Sequence, residues 1–326
     1  MTTAAVLILA FLLDWLWGDP GNRYHPVAGM GKVIGWLDRH IRLFCRKRGW
    51  KEENDAWKLR LAGGISPLLL VSGIWFVTYL LVQGMYQMHL IAGILSEAVL
   101  IWLTMAPRSL AESGKAIYTA LAKRKIQEAR HRLSMVVGRD TDPLDEEEVV
   151  RGGVETIAEN IVDAVISPLF YAALGGAPLA MAYRAVNTLD SMVGYKNETY
   201  LHLGWASARL DDLANWIPAR ILIPFMLATF SLLRLSPGSA FQSWMRDAHK
   251  HPSPNSGIPE SLMAGGLQIQ LGGFNVYQGR KSFRAYMGKP VQTRKTEHLL
   301  QAIKVMWLAS VLYLLTISFI CSKIFG

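Results

Sequence analysis

The chain has 326 residues, of which 51% are hydrophobic, and its mean hydropathy is +0.21. This composition excludes an ordinary soluble protein, and several long apolar windows indicate an integral membrane protein. The 34 Lys and Arg residues against 25 Asp and Glu give a net charge of +9. In a membrane protein such an excess is typical of cytoplasmic loops, so no nucleic-acid partner is predicted.

The cysteines and the absence of one glycine-rich motif limit the kinds of site that the sequence predicts. Cys45 and Cys321 lie far apart and show no metal-ligand spacing, so these cysteines predict neither a disulfide framework nor a zinc site. A Gly-x-x-x-x-Gly-Lys motif does not occur, which excludes a P-loop nucleotide site.

The first segment is an apolar stretch followed by a turn. Residues 2–17 are interrupted by Asp14 and lack a basic n-region and a cleavage site, which predicts a retained first helix instead of a removable signal peptide. The turn-rich residues after it place a carboxylate, a guanidinium and an imidazole close together: Asp19, Arg23 and His25.

A basic region and a hydrophobic hairpin come next. Residues 32–60 hold nine Lys or Arg against four Asp or Glu, which predicts a juxtamembrane loop on the cytoplasmic side. Residues 61–82 and 88–106 are apolar windows of spanning length with a short uncharged connection, which predicts a transmembrane hairpin. Residues 107–138 are basic, Ala-rich and amphipathic, which predicts a helical region.

The acidic stretch from residue 139 to residue 163 is the strongest candidate site. Glu155, Glu159 and Asp163 follow at i, i+4 and i+8, on one narrow arc of a helix. Like charges so placed repel, so the spacing favours a divalent cation, typically Mg²⁺ with a phosphate-bearing substrate. The preceding acidic run, residues 145–148, is interpreted as a solvated helix start that the helix dipole favours.

Residues 161–183 are apolar but broken by Ser167-Pro168 and by the Gly-rich residues 175–178. Such segments at membrane depth line a cavity or are buried in protein, so this one either crosses or re-enters. Beyond it, Asp211 and Asn215 are i, i+4 neighbours, and Arg209 and Asp212 are i, i+3 neighbours. Two interpretations stay open: a structural ion-pair network, or a second acidic face that shares a cation with the first.

The last third alternates apolar and polar segments. Residues 216–235 form an apolar window that contains Arg220. Residues 236–301 are soluble in character, and the stretch from His251 to Gly257 with the Gly-rich turns after it is a weak phosphate-binding signal. Residues 302–321 form the last apolar span.

These segments predict an all-α protein, a polytopic integral membrane helical bundle with re-entrant or broken segments and cytoplasmic helical loops. One membrane-embedded domain is expected over residues 1–326. Its predicted spans are residues 2–17, 61–82, 88–106, 161–183, 216–235 and 302–321.

Several motifs in order resemble the CobD/CbiB family of cobalamin biosynthesis, the adenosylcobinamide-phosphate synthases, over nearly the whole chain. The resemblance rests on the segments 18–27, 139–141, 155–163, 187–196, 209–212 and 251–257. One departure is Ile258, where an aromatic residue is expected, and it affects local packing only. A resemblance to the AmpE-type membrane proteins is weaker.

The resemblance implies an ATP-dependent amide ligase of the bacterial inner membrane. Such an enzyme joins the propionate carboxylate of adenosylcobyric acid to an aminopropanol, as its O-phosphate, to give adenosylcobinamide phosphate. The implied partners are these two substrates, ATP with Mg²⁺, the lipid bilayer and other late cobalamin-assembly membrane enzymes.

Residue chemistry and motif membership then assign hypothetical roles. Mg²⁺ ligation is assigned to carboxylates: Asp140, Asp142, Glu159, Asp163, Asp211 and Asp212. Catalysis is assigned to Arg139, Asp140, Glu155, Glu159, Asn160, Asp163, Lys196, Arg209, Asp212 and His251, in which the cations stabilise developing charge and His251 is a candidate base. Contacts to the co-substrate are assigned to Asp19, Arg23, His25, Asn187, Asp190, Asn215, Ser253 and Asn255.

These assignments require all the acidic motifs to face the cytoplasm, where ATP is found. A simple count of crossings places residues 184–215 outside, so re-entry or partial embedding of the broken segments is expected. Three other functions have less support from the sequence. A transporter lacks support because no inverted repeat is visible. A phosphoalcohol transferase lacks support because its Asp-Gly framework is not found. An AmpE-like non-enzymatic sensor is not expected to retain all the motifs that carry the family resemblance.

Overall fold

The structure is a computed structural model that describes residues 2–21, 25–51, 54–195, 197–277 and 279–324. Its helices and strands, in chain order, are α1 (Thr2–Trp17), α2 (Pro26–Lys47), α3 (Ala56–Gly63), α4 (Ile65–Met88), α5 (Leu90–Trp102), α6 (Pro107–Ala122), α7 (Ile126–Ser134), α8 (Glu146–Ile161), α9 (Ser167–Val193), α10 (Trp205–Ala214), α11 (Trp216–Leu232), α12 (Pro237–Asp247), α13 (Gly257–Gly266), β1 (Leu271–Tyr277), β2 (Arg280–Met287) and α14 (Glu297–Ile324). A π-helical turn, Val162–Ile166, lies between α8 and α9, and a 3₁₀ turn, Ala248–Lys250, follows α12.

Several of these helices are suited to a membrane. Within the described residues, five helical stretches are long and apolar enough to cross a bilayer: Ala56–Met88, Leu90–Ala122, Glu146–Val193, Trp205–Leu232 and Glu297–Ile324. The prediction of an all-α, polytopic membrane protein is therefore confirmed. The first apolar helix is shorter than these five stretches.

The chain forms two compact units, each assembled from separate segments. The first unit comprises Met1–Met105, Ser167–Asn215 and Ile317–Gly326. The second comprises Ala106–Ile166 and Trp216–Thr316.

In the first unit, α9 packs against α1, α2, α4, α5 and α10. The predicted break in this segment is confirmed at Gly175 and Gly176, and Gly176 has the positive φ of 64° that favours glycine. Glu97 on α5 accepts a hydrogen bond from the Ala177 amide at 3.3 Å, so a carboxylate meets the start of the second half of α9. Tyr86 donates to the other oxygen of Glu97 at 2.7 Å.

The basic region predicted as a juxtamembrane loop is largely helical, and its position on the cytoplasmic side stays a prediction. α2 buries Met30, Ile34 and Leu37, which recur at i, i+4 and i+7 on one face. The basic residues of the region include Arg46 and Lys47 in the last turn of α2, where the helix dipole favours positive charge. The many positive charges of this segment conceal the apolar period of α2 in the sequence.

The second unit is organised around α13, which is buried along its whole length. It packs against α8, α11, α12 and the two strands. The antiparallel hairpin of β1 and β2 is the one sheet among the described residues, and the sequence analysis did not predict it. Gly272 and Gly273 have φ of 81° and 100°, so the Gly-rich stretch that was interpreted as turns is a bulged strand.

The acidic stretch forms a capped α-helix, α8, that is followed by a π-helical turn. Asp145 accepts a hydrogen bond from the Glu148 amide at 2.9 Å and caps α8, as the interpretation of residues 145–148 as a helix start predicted. Asp163 lies in the π-helical turn, whose wider spacing departs from the predicted i, i+4, i+8 register.

Candidate functional site

A buried ion network in the second unit fastens the hairpin to α8. Glu155 accepts hydrogen bonds from Arg139 at 2.7 Å, from Arg151 at 3.1 Å and from the Gly272 amide at 2.8 Å. Arg139 and Arg151 also both donate to the side-chain oxygen of Asn275 on β1. The oxygens of Glu155 are therefore engaged by protein donors, and this carboxylate holds the two guanidinium groups and the strand in place.

Next to this network lies a polar cavity of about 140 Å³. Its lining residues are Val136, Val137, Gly138, Arg139, Glu155, Thr156, Glu159, Asn160, Tyr277 and Arg284. Four of the predicted catalytic residues are thus brought together: Arg139, Glu155, Glu159 and Asn160. A cavity with two guanidinium groups and two carboxylates is suited to a phosphate-bearing ligand.

Arg284 is a site residue that the sequence analysis missed. Burial lowers the pKa of its guanidinium, but Tyr277, Glu159 and Glu260 outweigh this effect and raise the pKa. Arg284 is therefore charged and faces the carboxylates. The sequence does not reveal that Arg284 points into the cavity, because this depends on the strand register. Arg284 pairs with Gly273 across the hairpin, and its neighbour Phe283 is exposed on the other face.

Glu159, His251 and Glu260 form a second cluster within the same unit. One ligand atom from each lies within 4.8 Å of the others, and Ser256 hydrogen-bonds to Glu159. Burial lowers the pKa of His251 to about 4, so its imidazole is neutral at pH 7. Burial, together with Glu159 and Glu155, raises the pKa of Glu260 well above its usual range.

Glu260 was also missed, although one signal was present. The signal is a carboxylate within a stretch of mostly apolar and Gly residues, 257–266. The structure buries every residue of that helix. A buried carboxylate without a sequence-local partner is expensive and therefore points to a partner elsewhere in the fold.

The remaining predicted residues of the second unit have mostly local roles. Asp140 accepts a hydrogen bond from the Gly279 amide at 2.9 Å at the turn of the hairpin, and Asp142 is exposed. The Ser253 amide donates to His251 Nδ1 at 3.0 Å. Asn255 lies 3.5 Å from Arg220, while Asp163 is not among the described residues that line the cavity.

The first unit brings together the residues of the turn after α1. His25 Nε2 lies 3.5 Å from Asp19, and His25 Nδ1 accepts from the Val27 amide at the start of α2. Burial lowers the pKa of His25, Asp19 opposes this effect and Arg184 adds to it. Arg184 donates to Asn187 at 3.3 Å.

Asn215 is the centre of a second network in the first unit. Its side-chain oxygen accepts from Ser167 at 2.6 Å and from Tyr183 at 2.9 Å, and its amide donates to Asp211 at 3.0 Å. Arg209 pairs with Asp212 at 3.2 Å in an exposed i, i+3 contact. The contacts of Asn215 and the pair of Arg209 with Asp212 fit the interpretation of residues 209–215 as a structural ion-pair network.

Three further residues were predicted as site residues: Arg23, Asp190 and Lys196. The backbone carbonyl of Asp190 accepts a hydrogen bond from the Gly194 amide at 2.8 Å. Arg23 and Lys196 lie outside the described residues. The hypothesis that these residues and the acidic residues of the second unit act on one substrate stays a prediction.

Comparison with known proteins identifies the family. The family described as CobD/Cbib protein matches residues 7–306. The cobalamin biosynthesis protein CobD of Geobacter metallireducens is 46% identical over 318 residues, which cover 97% of this chain and 96% of the relative. The CobD of Halalkalibacterium halodurans is 46% identical over 301 residues, covering 92% and 91% of the two chains.

A more distant relative carries the second family name. The cobalamin biosynthesis protein CbiB of Salmonella paratyphi B is 40% identical over 306 residues, covering 94% of this chain and 93% of the relative. No solved structure matches the chain. The match extends over nearly the full length of the chain and of its relatives, and the chain therefore belongs to the CobD/CbiB family.

Proposed function

We propose that this chain is an ATP-dependent amide ligase of cobalamin biosynthesis. The names of its relatives support a role in that pathway. In the proposed reaction, the propionate carboxylate of adenosylcobyric acid joins the amine of (R)-1-amino-2-propanol O-phosphate to give adenosylcobinamide phosphate. The proposed cofactor is Mg²⁺ and the co-substrate is ATP.

The polar cavity beside α8 is the observation that carries this proposal. Arg139 and Arg284 present two guanidinium groups, and such groups bind phosphoryl oxygens through paired hydrogen bonds. A volume of about 140 Å³ holds a phosphoryl group but not a whole nucleotide. The rest of ATP or of the corrinoid therefore extends beyond this cavity.

The residues of the cavity fit the charge changes of amide formation. ATP transfers a phosphoryl or an adenylyl group to the substrate carboxylate, with release of ADP or pyrophosphate. The amine then attacks the carbonyl carbon, loses a proton, and phosphate or AMP leaves. Arg139 and Arg284 stabilise the negative charge that develops on the phosphoryl and carbonyl oxygens.

Mg²⁺ binding is assigned to carboxylates. Mg²⁺, when bound, would neutralise the phosphate oxygens, and the carboxylates proposed to hold it are Asp140, next to Arg139 in the chain, and Asp142. A pKa of about 4 makes His251 a weak proton acceptor at pH 7. Glu155 is engaged by two arginines and Glu159 belongs to the cluster with His251, so the amine proton is proposed to pass to solvent water.

The proposed location is the bacterial inner membrane, with the site open to the cytoplasm. The five helical stretches of spanning length support a multi-pass protein. ATP and the corrinoid are found in the cytoplasm, so the acidic segments of both units are expected to be reached from that side. Other late cobalamin-assembly enzymes of the membrane are proposed as neighbours.

The direct test uses the purified full-length protein with adenosylcobyric acid, aminopropanol phosphate, ATP and Mg²⁺. The expected result is adenosylcobinamide phosphate with an equal amount of ADP or AMP, which also identifies the bond of ATP that breaks. Intact ATP in the presence of both substrates would contradict the proposal. In a deletion strain, corrinoid amidation is lost and added cobinamide restores cobalamin synthesis, which separates a ligase from a transporter or a sensor.

A further inference from the structure

The cluster of Glu159, His251 and Glu260 has the geometry of a metal site. The side chains of His251 and Glu260 are 5% and 2% exposed, and their facing atoms, Nε2 and Oε1, are 3.6 Å apart. One ligand atom of Glu159 lies within 4.8 Å of both other side chains. Two atoms bound to one cation at about 2.1 Å are at most roughly 4.2 Å apart, so closing the cluster requires movements below about 1 Å.

Two atoms aimed into this cluster are buried and lack a hydrogen-bond partner. Among the described residues they are His251 Nε2 and Glu260 Oε1, and their separation is too long for a hydrogen bond between them. Buried polar atoms are normally satisfied, so an orphaned pair that faces a shared space indicates a ligand. A cation between the two atoms satisfies both.

The surroundings of His251 permit the tautomer that binds metal. Its Nδ1 lies 3.2 Å from the Ser253 carbonyl oxygen. When Nδ1–H donates to that carbonyl, the lone pair of Nε2 points towards the carboxylates, as in most metal-binding histidines. The Ser253 amide also lies 3.0 Å from Nδ1 and supports the other tautomer, so ligand binding selects between them.

We propose that Glu159, His251 and Glu260 bind one divalent first-row transition cation, such as Mn²⁺ or Zn²⁺, in preference to Mg²⁺ or Ca²⁺. An imidazole nitrogen favours these cations, whereas Mg²⁺ and Ca²⁺ prefer oxygen ligands only. Three protein ligands leave positions open for water or for an oxygen of a substrate. Metal binding at this site is tested apart from ligase activity, because it requires neither ATP nor corrinoid.

The test measures metal binding by the chelator-treated, purified full-length protein without either substrate. We expect one Zn²⁺ per chain, with affinity falling from Zn²⁺ to Mn²⁺ to Mg²⁺, and a visible absorption band when Co²⁺ is used as the probe. His251→Ala and Glu260→Gln are expected to lower Zn²⁺ affinity on the order of 100-fold or more. His249→Ala is the matched control, because His249 is exposed and lies two residues from the cluster.

Three results would overturn the proposal. They are the absence of stoichiometric binding by the unaltered protein, equal affinity for Mg²⁺ and Zn²⁺, or unchanged affinity in both folded variants. If the variants fail to fold, the stoichiometry and the Co²⁺ spectrum of the unaltered protein decide. A protein that binds Zn²⁺ but forms no amide would contradict the ligase assignment and leave the metal site intact.

Discussion

Glu159 stands between the two groups of charged side chains in the second unit. It lines the cavity with Arg139 and Arg284, and it also belongs to the cluster with His251 and Glu260. Because it is shared by both, one carboxylate is expected to connect ligand binding in the cavity with charge in the cluster.

Replacing Glu159 with Gln keeps the shape of the side chain and removes its charge. We expect amide formation to fall by at least about 100-fold, because the variant loses both a metal ligand and a charge that faces two guanidinium groups. Product formation by the purified variant in the ligase assay measures the loss. Glu128→Gln, in an exposed part of α7, is the control, and normal turnover of Glu159→Gln would remove this residue from the site.

Asp247 is a buried carboxylate with a structural role. Burial raises its pKa, but hydrogen bonds from Arg246, Lys250 and the Gly288 amide outweigh this effect and lower the pKa to about 2. Because the folded pKa lies below the unfolded value of about 4, the ionised form stabilises the fold above pH 4, and this contribution is lost as the pH falls towards 2.

Asp247→Asn tests this contribution through its dependence on pH. The variant is expected to lose roughly 2 kcal/mol of unfolding free energy at pH 7, and the difference from the unaltered protein is expected to shrink between pH 4 and pH 2. Thermal unfolding in detergent at several pH values measures it. A stability difference that stays constant across this range would assign the effect to packing instead of charge.

At the scale of elements, the hairpin and α13 position the site. The hairpin is held to α8 by Glu155, which accepts from two arginines and a strand amide. The start of α13 approaches the 3₁₀ turn so closely that any side chain at Gly257 would collide with the Ala248 carbonyl and His251 Cβ. The contact between Glu155 and Gly272 joins residues 117 positions apart, whereas the contact at Gly257 is local in the sequence.

Glu155→Ala is expected to loosen the hairpin. Removing one partner of a buried ion pair leaves unpaired charge and costs about 3–5 kcal/mol, so exchange of the β1 and β2 amides with solvent should accelerate more than exchange in α4. Hydrogen–deuterium exchange measures this difference. Glu112→Ala removes an exposed partner of Arg108 and is expected to leave the hairpin protected.

Gly257→Ala is expected to displace His251 and weaken Zn²⁺ binding, since the added methyl group meets backbone and side-chain atoms in a buried place. Gly238→Ala is the matched control because nothing lies within 4 Å of the added carbon. Metal titration with both variants compares them. Equal affinity in the two variants would show that the close approach at Gly257 does not position the imidazole.

For the whole molecule, the arrangement of the chain across the membrane decides which residues reach one substrate. Single cysteines at Tyr195 and Leu201 are suitable probes because both side chains are exposed, whereas Ser207 is buried. In a background without native cysteines, we expect a membrane-impermeant reagent to label both only after the cytoplasmic side is opened. Arg48→Cys is the comparison, because the basic residues around it predict a cytoplasmic position. Labelling of Tyr195→Cys and Leu201→Cys from the periplasm alone would contradict a re-entrant segment.

The variant Asp212→Asn tests whether the acidic residues of the first unit take part in the proposed amide formation. The proposal that both sets act on one magnesium–nucleotide predicts that product formation is abolished while the protein stays in the membrane. Normal turnover would restrict Asp212 to its exposed pair with Arg209.

Much of the architecture follows from local properties of the sequence. The length of an apolar window and the break at Gly175-Gly176 depend on neighbouring residues only, and both were predicted. The hairpin and the helix of residues 26–47 were not, because the Gly-rich composition and the positive charge of these segments concealed their periodicity. Four residues that line the cavity were predicted as site residues because they belong to the acidic stretch: Arg139, Glu155, Glu159 and Asn160.

The sequence by itself determined a helical membrane protein of the CobD/CbiB family and the acidic segment at its site, since hydropathy, spacing and motif order are properties of the linear chain. Only the tertiary structure decided that Arg284 and Glu260 face Glu159 and that Glu155 is engaged by two arginines. The physical reason is that these contacts join α8, the hairpin and α13. Those positions are fixed by the strand register and by the buried path of α13, and neither is encoded by neighbouring residues alone.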